Sequence, residues 1–199
     1  MKIVGLCGGS GSGKSAVSRI LTEWGCLHLD TDAIYHELIG GDSACLRELA
    51  DEFGREIIAE SGALDRKKLA AIVFADGAEE KRHRLNEIAH RYVLDEVRQR
   101  IAAAEGKYAA AIVDAPLLFE SGFNTECDLV VSVTAPREIR IARLMARDSI
   151  TAEQAERRIS AQLDDEFLRS NSDVIIENNN DLDALASKVK KIIEMIKEI

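Results

Sequence analysis

Eight residues near the start of the chain, Gly8-Gly9-Ser10-Gly11-Ser12-Gly13-Lys14-Ser15, constrain this sequence more than any other stretch. Before them lies a short apolar run, Ile3 to Cys7; after them, from Lys14 to Trp24, Val17, Ile20, Leu21 and Trp24 recur on one side until Gly25. The first segment suits a buried parallel strand and the second an amphipathic helix. Between a strand and a helix, the GxxxxGK[ST] spacing carries specific chemistry. Its glycines let backbone amides turn inward around anionic oxygens, and the helix adds its positive end. Lys14 contributes a mobile point charge, and the Ser15 hydroxyl can hold a magnesium ion. The pattern points to a nucleoside triphosphate. It fits the dinucleotide spacing GxGxxG only in part.

Leu27 to Leu29 predict a second short strand, ending near Asp30 and Asp32. Strand, turn, helix and strand in this order open an α/β protein with a parallel sheet. The middle of the chain reads as helical. Helices are predicted from Ala44 to Phe53, from Arg66 to Phe74 with Asp65 as cap, and over about Ala78 to Ala104. Ala109–Val113, Leu129–Val133 and Val174–Ile176 supply the remaining strands. Pro136 suits the first turn of a further helix. Thr151 and Gln154 form a capping box before the helix carrying Arg157, Arg158 and Ile159. A last helix begins near Asn180 or Asp181 and carries Leu182, Leu185, Val189, Ile192 and Ile196 as one stripe. No low-complexity tether divides the chain, so it reads as one α/β core with helical insertions.

Composition narrows the class. In 199 residues, 35 acidic groups against 26 basic ones leave a formal charge of −9. That balance argues against broad binding to nucleic acid or to an anionic membrane, while leaving room for a local basic pocket. Hydrophobic residues at 46% and charged residues at 31% describe an ordinary globular protein. Cys7, Cys26, Cys45 and Cys127 show no close pairing and are expected as small buried hydrophobes, which favours a reducing, cytoplasmic setting. No apolar run approaches the roughly 20 residues that cross a bilayer. The N-terminus does not read as a signal peptide. His28, His36 and His83 show no metal-binding grouping with the cysteines, and no structural zinc is expected.

The acceptor chemistry turns on Asp30 and Asp32. Residues two apart in an extended strand face the same way, so both carboxylates could approach the phosphate edge of the sheet. Asp32 is the preferred general base because it lies further out, where strand gives way to helix; the competing reading for either residue is a helix cap. A GTP-driven switch would also carry a guanine-reading NKxD segment, and none is present. A small kinase is the class that remains.

At this point the sequence resembles the dephospho-CoA kinase family over nearly its whole length. The matching pieces are GLCGGSGSGKS at 5–15, LDTDAIYHEL at 29–38, FG at 53–54, DRKKL at 65–69 and LNEIAH at 85–90. They continue with VDAPLLFESG at 113–122, RLMARD at 143–148, RISAQ at 158–162 and DVIIEN at 173–178. The resemblance implies ATP- and Mg2+-dependent phosphorylation of the ribose 3′-hydroxyl of dephospho-coenzyme A, the last step of coenzyme A synthesis. It implies a P-loop kinase fold: a five-stranded parallel sheet flanked by helices, with a helical substrate-binding insertion and an arginine-bearing helical lid. The expected parts are core at 1–60, 106–136 and 164–199, substrate region at 61–105 and lid at 137–163. No nucleic acid, membrane or obligate protein partner is expected beyond ATP and dephospho-CoA.

By the same resemblance Asp32 is the base, and Gly9, Gly11, Ser12, Gly13, Lys14, Ser15 and Ala16 bind ATP. Asn178 falls in the C-terminal segment near the nucleotide base. From 137 to 158 six arginines face four acids, and Arg140, Arg143 and Arg147 can share a helix face. Arg143 is the one expected to reach ATP and act catalytically. Asp114 could hold magnesium-bound water or orient substrate. Glu120 could orient the acceptor, pair with a nearby arginine or merely stabilise its loop, and Leu117 is expected to bind the acceptor beside it. Arg66 could meet acceptor phosphates, and His90 is either a structural histidine or a ligand contact. Two departures stand out: Ala16 replaces a common threonine, and Arg91 replaces a common proline. The second puts a helix break and the shape of the acceptor site in question. The alternatives are a kinase for another nucleoside or nucleotide, and a non-catalytic ATP-binding regulator; Lys14, Ser15 and Asp32 together oppose the latter.

Overall fold

A computed structural model describes residues 1–179 and 181–198. The chain forms β1 (Lys2–Cys7), α1 (Lys14–Glu23), β2 (Leu27–Asp30), α2 (Thr31–Ile39), α3 (Ala44–Phe53), α4 (Arg66–Val73) and α5 (Glu79–Ala103). It continues with β3 (Ala110–Asp114), β4 (Leu129–Thr134), α6 (Arg137–Asp148), α7 (Ala152–Ser160), α8 (Asp165–Asn171), β5 (Val174–Glu177) and α9 (Leu182–Glu198). The strands form one parallel sheet in the order β2-β3-β1-β4-β5, with helices around it. Neighbours out of sequence order require crossovers, which the helices supply.

Two compact units emerge: Met1–Leu29 with Ala104–Ile199, and Asp30–Ala103. In the first, the alternation of β1 sends Val4 and Leu6 into a core shared with Val17 and Leu21 of α1 and with Leu185, Val189, Ile192 and Ile196 of α9. This is the stripe expected on the last helix; Asn180 and the side chain of Leu182 lie outside the described residues. Asp181 starts that helix by accepting the Ala184 N–H at 2.9 Å. In the second unit, Leu49 and Phe53 of α3, Leu69 and Val73 of α4, and Ile88 of α5 build a separate core.

Local signals act as the residue types dictate. Asp65 accepts the N–H groups of Lys67 and Lys68, each at 3.1 Å, and starts α4. Thr151 and Gln154 complete a reciprocal capping box. Long α5 runs as one helix through Arg91, which pairs with Glu48 of α3, so there is no helix break at that position. Two details depart from expectation. Trp24 is 51% exposed, because α1 stops one residue earlier and Gly25, at φ 86°, turns the chain away. Helix α8 was not expected; Asp164 caps it by accepting the Phe167 N–H at 2.7 Å, and Leu168 is the only buried residue it contributes.

Leu21 is fully buried between α1 and α9. Leu21→Ala should therefore lower unfolding stability by about 2–5 kcal/mol, measured as a shift in the denaturation midpoint at unchanged slope.

Candidate active site

The phosphate loop begins where β1 ends. Cys7, the last strand residue, is buried, and its thiol is bonded to the Ser132 hydroxyl at 2.8 Å; Ser132 in turn meets Ser172 at 2.6 Å. Burial pushes the thiol's pKa up, opposed by the Ser132 bond, so Cys7 sits as a neutral packing group. At the far end Gly13 adopts φ 95°, a left-handed conformation, directly before Lys14 opens α1. A Cβ at Gly13 would fall 2.0 Å from the Asn178 amide nitrogen. Both conformation and space therefore require glycine there.

A loop that turns its amides inward must turn carbonyls outward, and each buried carbonyl then needs a donor. The structure supplies three side chains for this purpose. Arg143 of α6 donates from one nitrogen to the carbonyls of Gly11 (2.9 Å) and Ser12 (3.0 Å). Buried Asn178, just beyond β5, donates to the Ser12 carbonyl at 2.9 Å and accepts from Arg143 at 3.2 Å. Arg140 donates to the Ser10 carbonyl at 3.0 Å. Desolvation lowers the pKa of both arginines. The guanidiniums thus hold the carbonyl side of the loop and add positive potential to it.

In front of that frame stands an ion pair. Lys14 Nζ contacts Asp114 Oδ1, and the other carboxylate oxygen lies 3.3 Å from His28 Nε2. Asp114 ends β3 and is only 4% exposed. It sits there because β3 pairs in parallel with β1, which aligns its C-terminal end with the start of the loop. A buried carboxylate of this kind is stable only with such partners.

Comparison with known proteins agrees with this geometry. The sequence profile described as dephospho-CoA kinase matches residues 2–184. A curated dephospho-CoA kinase from Corynebacterium glutamicum is 39% identical over 194 residues, covering 97% of this chain and 98% of that protein. The chain belongs to the dephospho-CoA kinase family. Among solved structures, a Thermus thermophilus protein superposes with a TM-score of 0.81 at 30% identity, covering 98% of this chain and 96% of the other. A dephospho-CoA kinase from Campylobacter jejuni gives 0.70 at 26% identity, covering 100% and 98%.

The structure gathers the predicted nucleotide-binding residues of this family member in one unit: Gly9, Gly11, Ser12, Gly13, Lys14, Ser15, Ala16, Arg143 and Asn178, with Asp114 beside Lys14. Leu117 and Glu120 join them, lining a cavity of about 90 Å³ with Cys7, Gly8, Gly9 and Gln162. Asp32, Arg66 and His90 belong to the other unit. There Asp32 is exposed in the first turn of α2, His90 is partly buried on α5, and Arg66 meets His36 Nδ1 at 2.8 Å.

Two expected placements change, and one residue is added. Asp30 and Asp32 do not project along one strand, because α2 begins at Thr31; Asp30 becomes the cap and accepts the N–H groups of Asp32 (2.9 Å) and Ala33 (3.1 Å). Arg147 does not join Arg140 and Arg143 at the loop. It binds Asp148 at 2.7 Å, and Arg158 also reaches that carboxylate; the two hold its pKa down to about 2. Gln162, unassigned from sequence, contacts the loop through Ser10. Its only sequence signal is a place in RISAQ.

Gly13→Ala should raise the dissociation constant for ATP at least tenfold, read by equilibrium binding, because it strains the backbone and displaces Asn178. Unchanged affinity would remove the loop's left-handed turn from the binding argument.

Proposed function

We propose that Lys14, Arg143 and Asp32 carry the family's reaction in this chain: ATP-dependent transfer of a phosphoryl group to the ribose 3′-hydroxyl of dephospho-coenzyme A, giving coenzyme A and ADP. The observation that carries this reading is the loop itself, with its carbonyls satisfied from behind by Arg143 and Asn178 and Lys14 at its front. A loop held in this way offers its amides without reorganising when the triphosphate arrives, which is how fixed dipoles stabilise developing charge.

Lys14 is paired with Asp114 before substrate binds. Its long stem lets it exchange that carboxylate for phosphate oxygens. Asp32 is assigned as the group that orients and deprotonates the ribose hydroxyl; its exposure in the first turn of α2 leaves the carboxylate accessible, while Asp30 is occupied as the cap. Arg143, held by oxygens of Gly11, Ser12 and Asn178, is assigned to offset phosphate charge from behind the loop, and Asn178, whose side-chain amide is spent on Ser12 and Arg143, to shape the nucleotide end of the site. Leu117, Glu120, Arg66 and His90 are assigned to the acceptor.

The donor set suits Mg2+, which prefers hard oxygen ligands and retains water. Ser15 Oγ and, through water, the Asp114 carboxylate are the groups that would hold it. Among the described residues no three His, Cys, Asp or Glu side chains gather as a metal cage, so phosphate oxygens would complete the coordination. Bound there, the ion would offset phosphate charge.

Residues 137–163 are assigned as the lid and 61–105 as the acceptor region. Helices α6 and α7 share a small core of Leu144, Ala155 and Ile159, which supports their acting as one stiff piece. A lid that excludes water would suppress hydrolysis of ATP. Among the described residues no helix is long and apolar enough to cross a membrane.

The direct test offers labelled ATP with dephospho-CoA, adenosine and nucleoside monophosphates in parallel. Label should enter dephospho-CoA preferentially; equal or better transfer to another acceptor would overturn the assignment. Asp32→Asn should reduce turnover by about 10²-fold or more while leaving ATP affinity within a few fold. Near-normal turnover at saturating substrates would exclude Asp32 as the base. Lys14→Ala should lose transfer to every acceptor, checked with purified, folded protein.

A further inference from the structure

The phosphate loop has one more partner that the reaction does not explain. The side-chain amide of Gln162, in the turn after α7, grips Ser10 from two sides. Its Oε1 accepts the Ser10 N–H at 2.8 Å, and its Nε2 donates to Ser10 Oγ at 3.2 Å. The same Oε1 accepts from Arg140 at 3.2 Å, while Arg140 Nε donates to the Ser10 carbonyl at 3.0 Å. Every polar group of Ser10 is therefore held by residues 140 and 162. Arg140 itself is 5% exposed, so its charge depends on these acceptors and on Asp165 at 3.5 Å.

Gly9 gives independent support. Its φ lies outside the left-handed region, so its conformation does not call for glycine. A Cβ there would lie 2.1 Å from an Arg140 guanidinium nitrogen and 3.1 Å from Gln162 Oε1. The missing side chain makes room for this brace. Because the Ser10 N–H is already taken, it is not among the amides left for phosphate, and the contact fixes the loop without competing with the nucleotide.

We propose that Gln162 is a positioning residue for ATP binding: together with Arg140 it locks Ser10, and so sets the shape of the phosphate loop before the triphosphate enters. Gln162 also lines the cavity that contains Leu117 and Glu120. One side chain thus borders both the donor loop and residues assigned to the acceptor. The proposal rests on the loop binding ATP, as in the proposed function, and extends it to a residue that touches neither reacting group.

The experiment measures MgATP affinity without acceptor, together with steady-state kinetics and thermal melting, for Gln162→Ala and the near-isosteric Gln162→Met. Both should raise the dissociation constant and KM for ATP about tenfold, the worth of one or two neutral hydrogen bonds, with turnover at saturating ATP within about twofold. Unchanged ATP affinity in either folded Gln162 variant overturns the proposal, as does a fall in turnover at unchanged affinity. Failure of both Gln162 variants to fold also overturns it, by assigning Gln162 to the fold. Binding is read without dephospho-CoA, so this result stands apart from the acceptor assignment. That assignment fails separately if the unaltered protein turns over no dephospho-CoA.

Discussion

An anion-binding loop made of backbone has a built-in conflict. Each peptide that presents its N–H to the ligand sends its carbonyl the other way, into protein where water cannot serve it. Much of the unit formed by residues 1–29 and 104–199 answers that demand. Arg140 satisfies the Ser10 carbonyl, Arg143 and Asn178 satisfy the Ser12 carbonyl, and Arg143 also takes the Gly11 carbonyl, whose peptide N–H is given within the loop to the Gly9 carbonyl at 3.0 Å, so donors from α6 and from the end of β5 converge behind residues 10–12. Their convergence also explains why the loop is so poor in side chains, since Gly9 and Gly13 leave the room that Arg140 and Asn178 fill.

The sheet makes this convergence possible. With β1 between β3 and β4, and β5 beyond β4, the C-terminal ends of parallel strands reach one edge together. Cys7, Asp114 and Thr134 end their strands there, and Asn178 lies just past β5, its N–H bonded to the Thr134 carbonyl at 2.8 Å. Crevices at that edge are where open α/β sheets place ligands. Sequence separation is then irrelevant: Lys14 and Asp114 are 100 residues apart and form an ion pair.

The arginines of 137–158 show why charge counting alone does not assign roles. All six carry the same formal charge, yet two are drawn to loop carbonyls while Arg147 and Arg158 share Asp148 at an exposed site. Spacing by three and four along α6 places Arg140, Arg143 and Arg147 toward one helix face. Arg147 lies in the last turn, next to Asp148, and the nearer carboxylate takes it.

Read alone, the sequence determined the strand–loop–helix opening, the parallel α/β class, the caps at Asp65 and Thr151, and the family, because these depend on local periodicity, backbone conformation and short motifs. Its short motif also marked Gly9 through Ala16 as the candidate phosphate loop, while it left Asp114 between holding magnesium-bound water and orienting substrate. Tertiary structure alone decided that Asp30 caps α2, that α8 forms between residues 165 and 171, that Trp24 faces solvent, and that Arg140, Gln162 and Asn178 hold the loop. Those outcomes depend on which groups meet across long stretches of chain, or on where one element yields to the next by a single residue. Hydrophobic period and residue type carry no record of such meetings; the order of strands in the sheet does.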